Sequence, residues 1–122
     1  MKFLWTTVYV RNLEESIDFY TSLLGLKVTR RFPAGLGVEI AFMGSGADNE
    51  TLVELLADSS NSEVAYSEFL SVGFAVASVE DMLQVVKSRN IPVHSGPVET
   101  SGLIFFCIKD PNGLNVQFFQ QK

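Results

Sequence analysis

Residues 8 to 28, VYVRNLEESIDFYTSLLGLKV, and residues 74 to 93, FAVASVEDMLQVVKSRNIPV, carry one pattern twice. Each opens on a short apolar run. Each then offers a helix N-cap followed three residues later by an acid, Asn12 with Glu15 and Ser78 with Asp81. That spacing satisfies exposed backbone donors at a helix start. Apolar residues come next at helical spacing: Leu13, Ile17, Tyr20 and Leu24 in the first copy, Val79, Leu83 and Val86 in the second. Gly25 and Asn90 suit the left-handed backbone that ends a helix. A strand is predicted to begin after each helix, at Leu26 and at Ile91.

Beyond its helix, each half holds strands only. In the first half they are predicted near 26–33, 36–43 and 51–57, parted by GLG and GSGADNE. In the second half they are predicted near 91–94, 102–108 and 114–119, parted by SGPVETSG and DPNG. Asp110-Pro111-Asn112-Gly113 is strong turn chemistry, since Pro fixes φ while Asn and Gly tolerate positive φ. Both halves therefore read βαβββ, an internal repeat that sets the fold class as α+β. Module 1 spans 1–57, module 2 spans 70–122, and the polar stretch 58–69 links them. A sheet with one helix on its back leaves its other face uncovered. The two modules are expected to form a curved sheet surface with a cleft, within one chain or between chains.

The bulk numbers narrow the function. The chain has 122 residues, 47% of them hydrophobic with ten Phe, enough for one domain with a sizeable core. A net charge of −5 argues against nucleic-acid or anionic-membrane binding, which need basic patches. The single cysteine, Cys107, excludes a disulfide within the chain and reads as a small buried hydrophobe. No signal peptide is expected, and no apolar run reaches the roughly 18 residues of a membrane span. A cytoplasmic location is the expectation.

The segments TTVYVRNLEESIDFYTSLLGLKV and DPNGLNVQFF, with paired βαβββ modules around them, resemble the vicinal oxygen chelate superfamily. This is the glyoxalase I, bleomycin-resistance-protein and dioxygenase family, and the resemblance covers essentially the whole chain. It implies the glyoxalase/bleomycin-resistance-like fold. In metal-dependent members a divalent cation is held by residues on the first and last strands of each module. Carried over position by position, those places fall on Trp5, Glu54, Ser71 and Gln117. An indole N–H only donates, and Ser71 is a poor neutral ligand. One carboxylate and one amide do not hold Zn²⁺ or Ni²⁺ tightly, because such sites want three or four N, S or O ligands. The resemblance therefore implies no metal at this site. The lone histidine, His94, lies outside the four places and reads as a loop or edge residue.

Strand alternation predicts what lines the open faces. Trp5, Thr7 and Tyr9 share one face of the first strand, and Leu52, Glu54 and Leu56 one face of the fourth. Ser71, Gly73 and Ala75 share one in the fifth, and Asn115, Gln117 and Phe119 one in the last. The expected ligand contacts are Trp5, Thr7, Tyr9, Glu54, Ser71, Gln117 and Phe119. Each fits a plainer role too: Trp5 and Tyr9 as core aromatics, Glu54 paired with Arg30 or Arg31, Gln117 bridging strands, Ser71 as small filling. Aromatic walls with one acid suit a flat apolar or aromatic organic molecule. Any charge on it is expected to be positive, by Coulomb attraction and cation–π contact.

The first functional expectation is a small-molecule binding module with a degenerate metal site, sequestering its ligand as bleomycin-resistance-type proteins do. No cofactor is expected, and a homodimer is, because uncovered sheet edges and faces favour a C₂ partner. The alternative is a lactoylglutathione-lyase-like enzyme with Glu54 as base, and only then would Zn²⁺ or Ni²⁺ be required. A third class is an interaction domain whose cleft is filled by its own side chains.

Overall fold

The structure, a computed structural model, describes every residue except Asn49. The chain divides into two compact units, Met1–Val64 and Ala65–Lys122. The first contains β1 (Thr6–Tyr9), α1 (Leu13–Asp18) continued by a π-helical turn over Phe19–Leu23, β2 (Lys27–Pro33), β3 (Val38–Gly44) and β4 (Val53–Asp58). The second contains β5 (Ser71–Ala75), α2 (Val79–Ser88), β6 (Ser95–Glu99), β7 (Leu103–Lys109) and β8 (Asn115–Gln121). Each unit is thus βαβββ around a four-stranded sheet, ordered β1-β4-β3-β2 in one and β5-β8-β7-β6 in the other. In both, the first strand runs parallel to the last and the remaining pairs are antiparallel. No helix among the described residues is long and apolar enough to cross a membrane.

The helix ends obey their local chemistry. Asn12 Oδ1 accepts from the Glu15 amide at 2.9 Å, and Ser78 Oγ from the Asp81 amide at 3.1 Å. Gly25 and Asn90 take φ of 74° and 57°, the left-handed closure their residue types tolerate. The first helix does not stay regular. The Thr21 hydroxyl donates to the Ile17 carbonyl at 2.8 Å and the Ser22 hydroxyl to the Asp18 carbonyl at 2.7 Å. These bonds compete for the helix carbonyls, and the coil widens to π geometry over this turn.

Each sheet buries one face beneath its helix. Val8, Leu55 and Ala41 form one row across β1, β4 and β3, none more than 1% exposed. Helix α1 packs on β3 and β4, and Tyr20 is fully buried. In the second unit α2 packs on β7 and β8. There Phe106 and Phe118 pair across the strands with ring centroids 5.0 Å apart. Each fully buried side chain of this size contributes about 1.5–3 kcal/mol.

Strand β6 corrects the expectation of a strand at 91–94. Pairing with β7 begins at Ser95 and shifts register between Ser95 and Val98. The Gly96-Pro97 pair, which reads as a loop, forms a bulge in an edge strand, where a missing proline N–H costs no ladder bond. Gly96 has φ +84° and passes so close to β7 that a Cβ would lie 3.0 Å from the Phe105 carbonyl oxygen.

Candidate ligand-binding faces

In the first unit, pairing puts Thr7 opposite Glu54, Glu54 opposite Phe42, and Phe42 opposite Arg30. This row alternates with the buried Val8–Leu55–Ala41 row, so it projects from the face away from the helix. The Thr7 hydroxyl donates to Glu54 Oε1 at 2.5 Å. Trp5 stands just before β1, its ring 5.0 Å from Phe42. Phe32 meets Phe42 edge-on at 5.3 Å. The Arg30 guanidinium lies over Phe32, 4.5 Å from the ring centroid. Tyr9, in the next row, is 47% exposed. Beside Trp5 a recess of about 410 Å³ is lined by Lys2, Phe3, Leu4, Asp48, Glu50, Thr51 and Leu52.

Two plainer roles are thereby corrected. Tyr9 is not a core aromatic, and Trp5 is only half-buried, because odd positions of this strand point away from the helix. Among the described residues no ion pair joins Glu54 to Arg30 or Arg31. Arg31 lies opposite Ala41, on the helix side, where it binds Glu14 of α1 and Glu39, each at 2.5 Å. The hydrogen bond that Arg31 donates to Glu14, then that to Glu39, raises the Arg31 pKa above its ordinary value. Sequence reading missed Phe42 and Phe32, and took Arg30 only as an ion-pair partner for Glu54. Alternation from Ile40 to Phe42 was visible, but only the register of β3 against β4 sets them beside Glu54.

In the second unit the open face carries three rows: Ser71, Asn115 and Lys109; Gly73, Gln117 and Cys107; Ala75, Phe119 and Phe105. Ser71 is exposed, and Gln117 and Phe119 are half-buried. Gln117 pairs with Gly73 of β5 and Cys107 of β7. Cys107 faces this side opposite Gln117 and is half-buried. It is not the core residue expected, since its neighbours Phe106 and Ile108 take the buried side. His94 precedes β6 and bonds Glu68.

The four places that correspond to a family metal site offer an indole, a carboxylate, a hydroxyl and an amide. The one anionic ligand, Glu54, already accepts the Thr7 hydrogen bond on Oε1. The indole donates only. This donor set does not fit a tightly held Zn²⁺ or Ni²⁺.

Two βαβββ units of identical strand order, each with an open face opposite its helix, define a glyoxalase-type paired-module protein. The chain belongs to the Glyoxalase/Bleomycin resistance protein/Dioxygenase superfamily, whose model matches residues 2–118. It is 31% identical over 129 aligned positions to a lactoylglutathione lyase of Neisseria meningitidis, covering 100% of this chain and 92% of the relative. The trypanothione-dependent glyoxalase I of Leishmania major superposes with a TM-score of 0.82 at 24% identity, over 98% of this chain and 86% of that one. An antibiotic-binding protein from Streptomyces superposes with a TM-score of 0.75 at 16% identity, over 100% and 98%.

Proposed function

We propose that the chain binds a small, flat organic molecule on the open face of its first unit, with no divalent ion at Trp5, Glu54, Ser71 and Gln117. The observation that carries this reading is the Thr7–Glu54 pair set beside Trp5 and Phe42. Arg30 covers one face of Phe32, so Trp5 and Phe42 are the rings left for stacking. Thr7 holds the Glu54 carboxylate in place, where it favours a positive group on the ligand. Tyr9 borders the same face. The open face of the second unit offers Ser71, Gln117 and Phe119 for contacts of its own, and an amide such as Gln117 can both donate and accept. A protein of this fold from Streptomyces is an antibiotic-binding protein.

Trp5 is the only tryptophan, so its fluorescence reports this face alone. Titration with benzyltrimethylammonium, against neutral benzyl alcohol, is expected to quench it saturably. At 100 times Kd the ligand should add about 2.7 kcal/mol of stability. Glu54→Gln should weaken the cation more than the alcohol. A flat fluorescence response to both compounds would sink the reading.

A second reading is favoured by the 31% identity to a lactoylglutathione lyase over the whole chain. Glu54 would then act as the general base, and Zn²⁺ or Ni²⁺ would belong to this reading alone. Without a metal to polarise the substrate carbonyl, several kcal/mol of transition-state stabilisation are lost. A homodimer accompanies both readings. Phe3, 82% exposed, and Phe69, 100% exposed, are apolar surface that a second copy would cover. Sedimentation at micromolar concentration giving only monomer mass would refute it.

A further inference from the structure

Glu68 lies in the segment before β5, and side chains from three separate places hold its carboxylate. Lys109 Nζ, at the end of β7, donates to Oε1 at 2.7 Å. His94 Nε2, just before β6, lies 2.9 Å from Oε2. Asn115 Nδ2, at the start of β8, donates to Oε2 at 3.4 Å and to the Glu68 backbone carbonyl at 3.3 Å. The sheet positions these groups independently of Glu68. Lys109 Nζ also donates to Asn115 Oδ1 at 3.2 Å and to the Gly113 carbonyl at 3.4 Å. The His94 amide donates to the Cys107 carbonyl at 2.8 Å.

Lys109 and Asn115 face each other across β7 and β8, on the same open face as Gln117. Three donors converging on one carboxylate, one of them a cation, is how proteins bind organic anions. Lys109, then His94 and Asn115, hold the Glu68 pKa down at about 2. The Glu68 side chain is 59% exposed, so swinging its carboxylate out of the cradle uncovers little apolar surface.

We propose that Lys109, His94 and Asn115 form a carboxylate-binding cradle on the open face of the second unit, with Glu68 as its internal occupant. A ligand carboxylate enters by displacing Glu68. The cradle rests on the proposed role of the Ser71–Gln117 face as a ligand surface. The ligand class of this face is an organic acid with a flat apolar body.

His94 is the only histidine, so its ring resonances report the cradle without assignment ambiguity. Benzoate is titrated into the wild type, Glu68→Ala, and Glu68→Ala with Lys109→Met. The expected result is saturable shifts at His94 in Glu68→Ala, with affinity at least about tenfold above wild type, a gap of about 1.4 kcal/mol. Adding Lys109→Met should abolish them. Glu68→Gln keeps the side-chain shape without the charge, and it replaces Glu68→Ala if that variant fails to fold. Equal benzoate affinity with and without Glu68, or no saturable shift at His94 in a folded variant, would overturn the cradle. The same variants are titrated with benzyltrimethylammonium at Trp5. A Trp5 response without a His94 response overturns the cradle alone. The reverse overturns the ligand reading of the first unit and leaves the cradle standing.

Discussion

The Thr7 hydroxyl donates to Glu54 Oε1 at 2.5 Å, between register partners in the parallel strands β1 and β4. The bond fixes the direction of the Glu54 carboxylate beside Phe42. Thr7→Val keeps the shape and removes the donor. Because Thr7 is exposed, stability should stay within about 0.5 kcal/mol of wild type. Affinity for a cationic ligand should fall about fivefold to tenfold, roughly 1–1.4 kcal/mol, read by Trp5 fluorescence. Unchanged affinity would remove Thr7 from the binding apparatus.

The core row beneath that face carries the stability of the first unit. Leu55 is fully buried between Val8 and Ala41. Leu55→Ala should cost about 2–5 kcal/mol, from lost transfer energy and the cavity left behind. Urea denaturation with an unchanged slope measures it. A loss below about 1 kcal/mol would mean the helix and sheet do not pack as described.

At Gly96 the backbone is at φ +84°, and an added Cβ would lie 3.0 Å from the Phe105 carbonyl oxygen and 3.1 Å from Phe106 Cα. Gly96→Ala should therefore destabilise by about 1–3 kcal/mol, since both conformation and space are wrong for a side chain. Ala at Gly73, where a Cβ meets nothing within 4 Å, is the matched control.

Glu68 makes the second unit acid-sensitive. Its pKa is lowered from 4.5 to about 2, first by Lys109, then by His94 and Asn115. A depressed carboxylate stabilises above its unfolded pKa and loses that contribution as pH falls through the folded value. Protection factors of amides 65–70, corrected for intrinsic exchange, should therefore be constant above about pH 5 and fall as pH drops from 4.5 toward 2. Glu68→Gln should abolish that dependence, and a wild-type profile retained in the variant would contradict it.

The repeat made the βαβββ units legible, because Asn12, Ser78, Gly25 and Asn90 each specify a helix end by short-range chemistry. The DPNG turn was legible for the same reason: Asp110 Oδ1 caps the Asn112 and Leu114 amides at 2.8 and 2.9 Å. Alternation also separated the rows of Thr7 and Glu54 from those of Val8 and Leu55. What escaped depends on register or on contacts between distant residues. The π turn carries Thr21 and Ser22 hydroxyls bonded back to helix carbonyls, contacts that hydrophobic periodicity does not register. Strand β6 hides in a Gly-Pro bulge that reads as a loop. Phe42 and Arg30 join the Glu54 row only through pairing in three strands. Glu68 sits in what reads as a linker, and its partners lie 26 to 47 residues away.

The central claim is ligand binding in place of metal-dependent lyase chemistry. Its most direct test is formation of lactoylglutathione from the methylglyoxal–glutathione hemithioacetal by the untagged wild type with Ni²⁺ or Zn²⁺ supplied. The expected rate is that of the metal ion alone, with no dependence on protein concentration. Turnover proportional to protein and abolished by Glu54→Ala would contradict the claim and make the lyase the function of this chain.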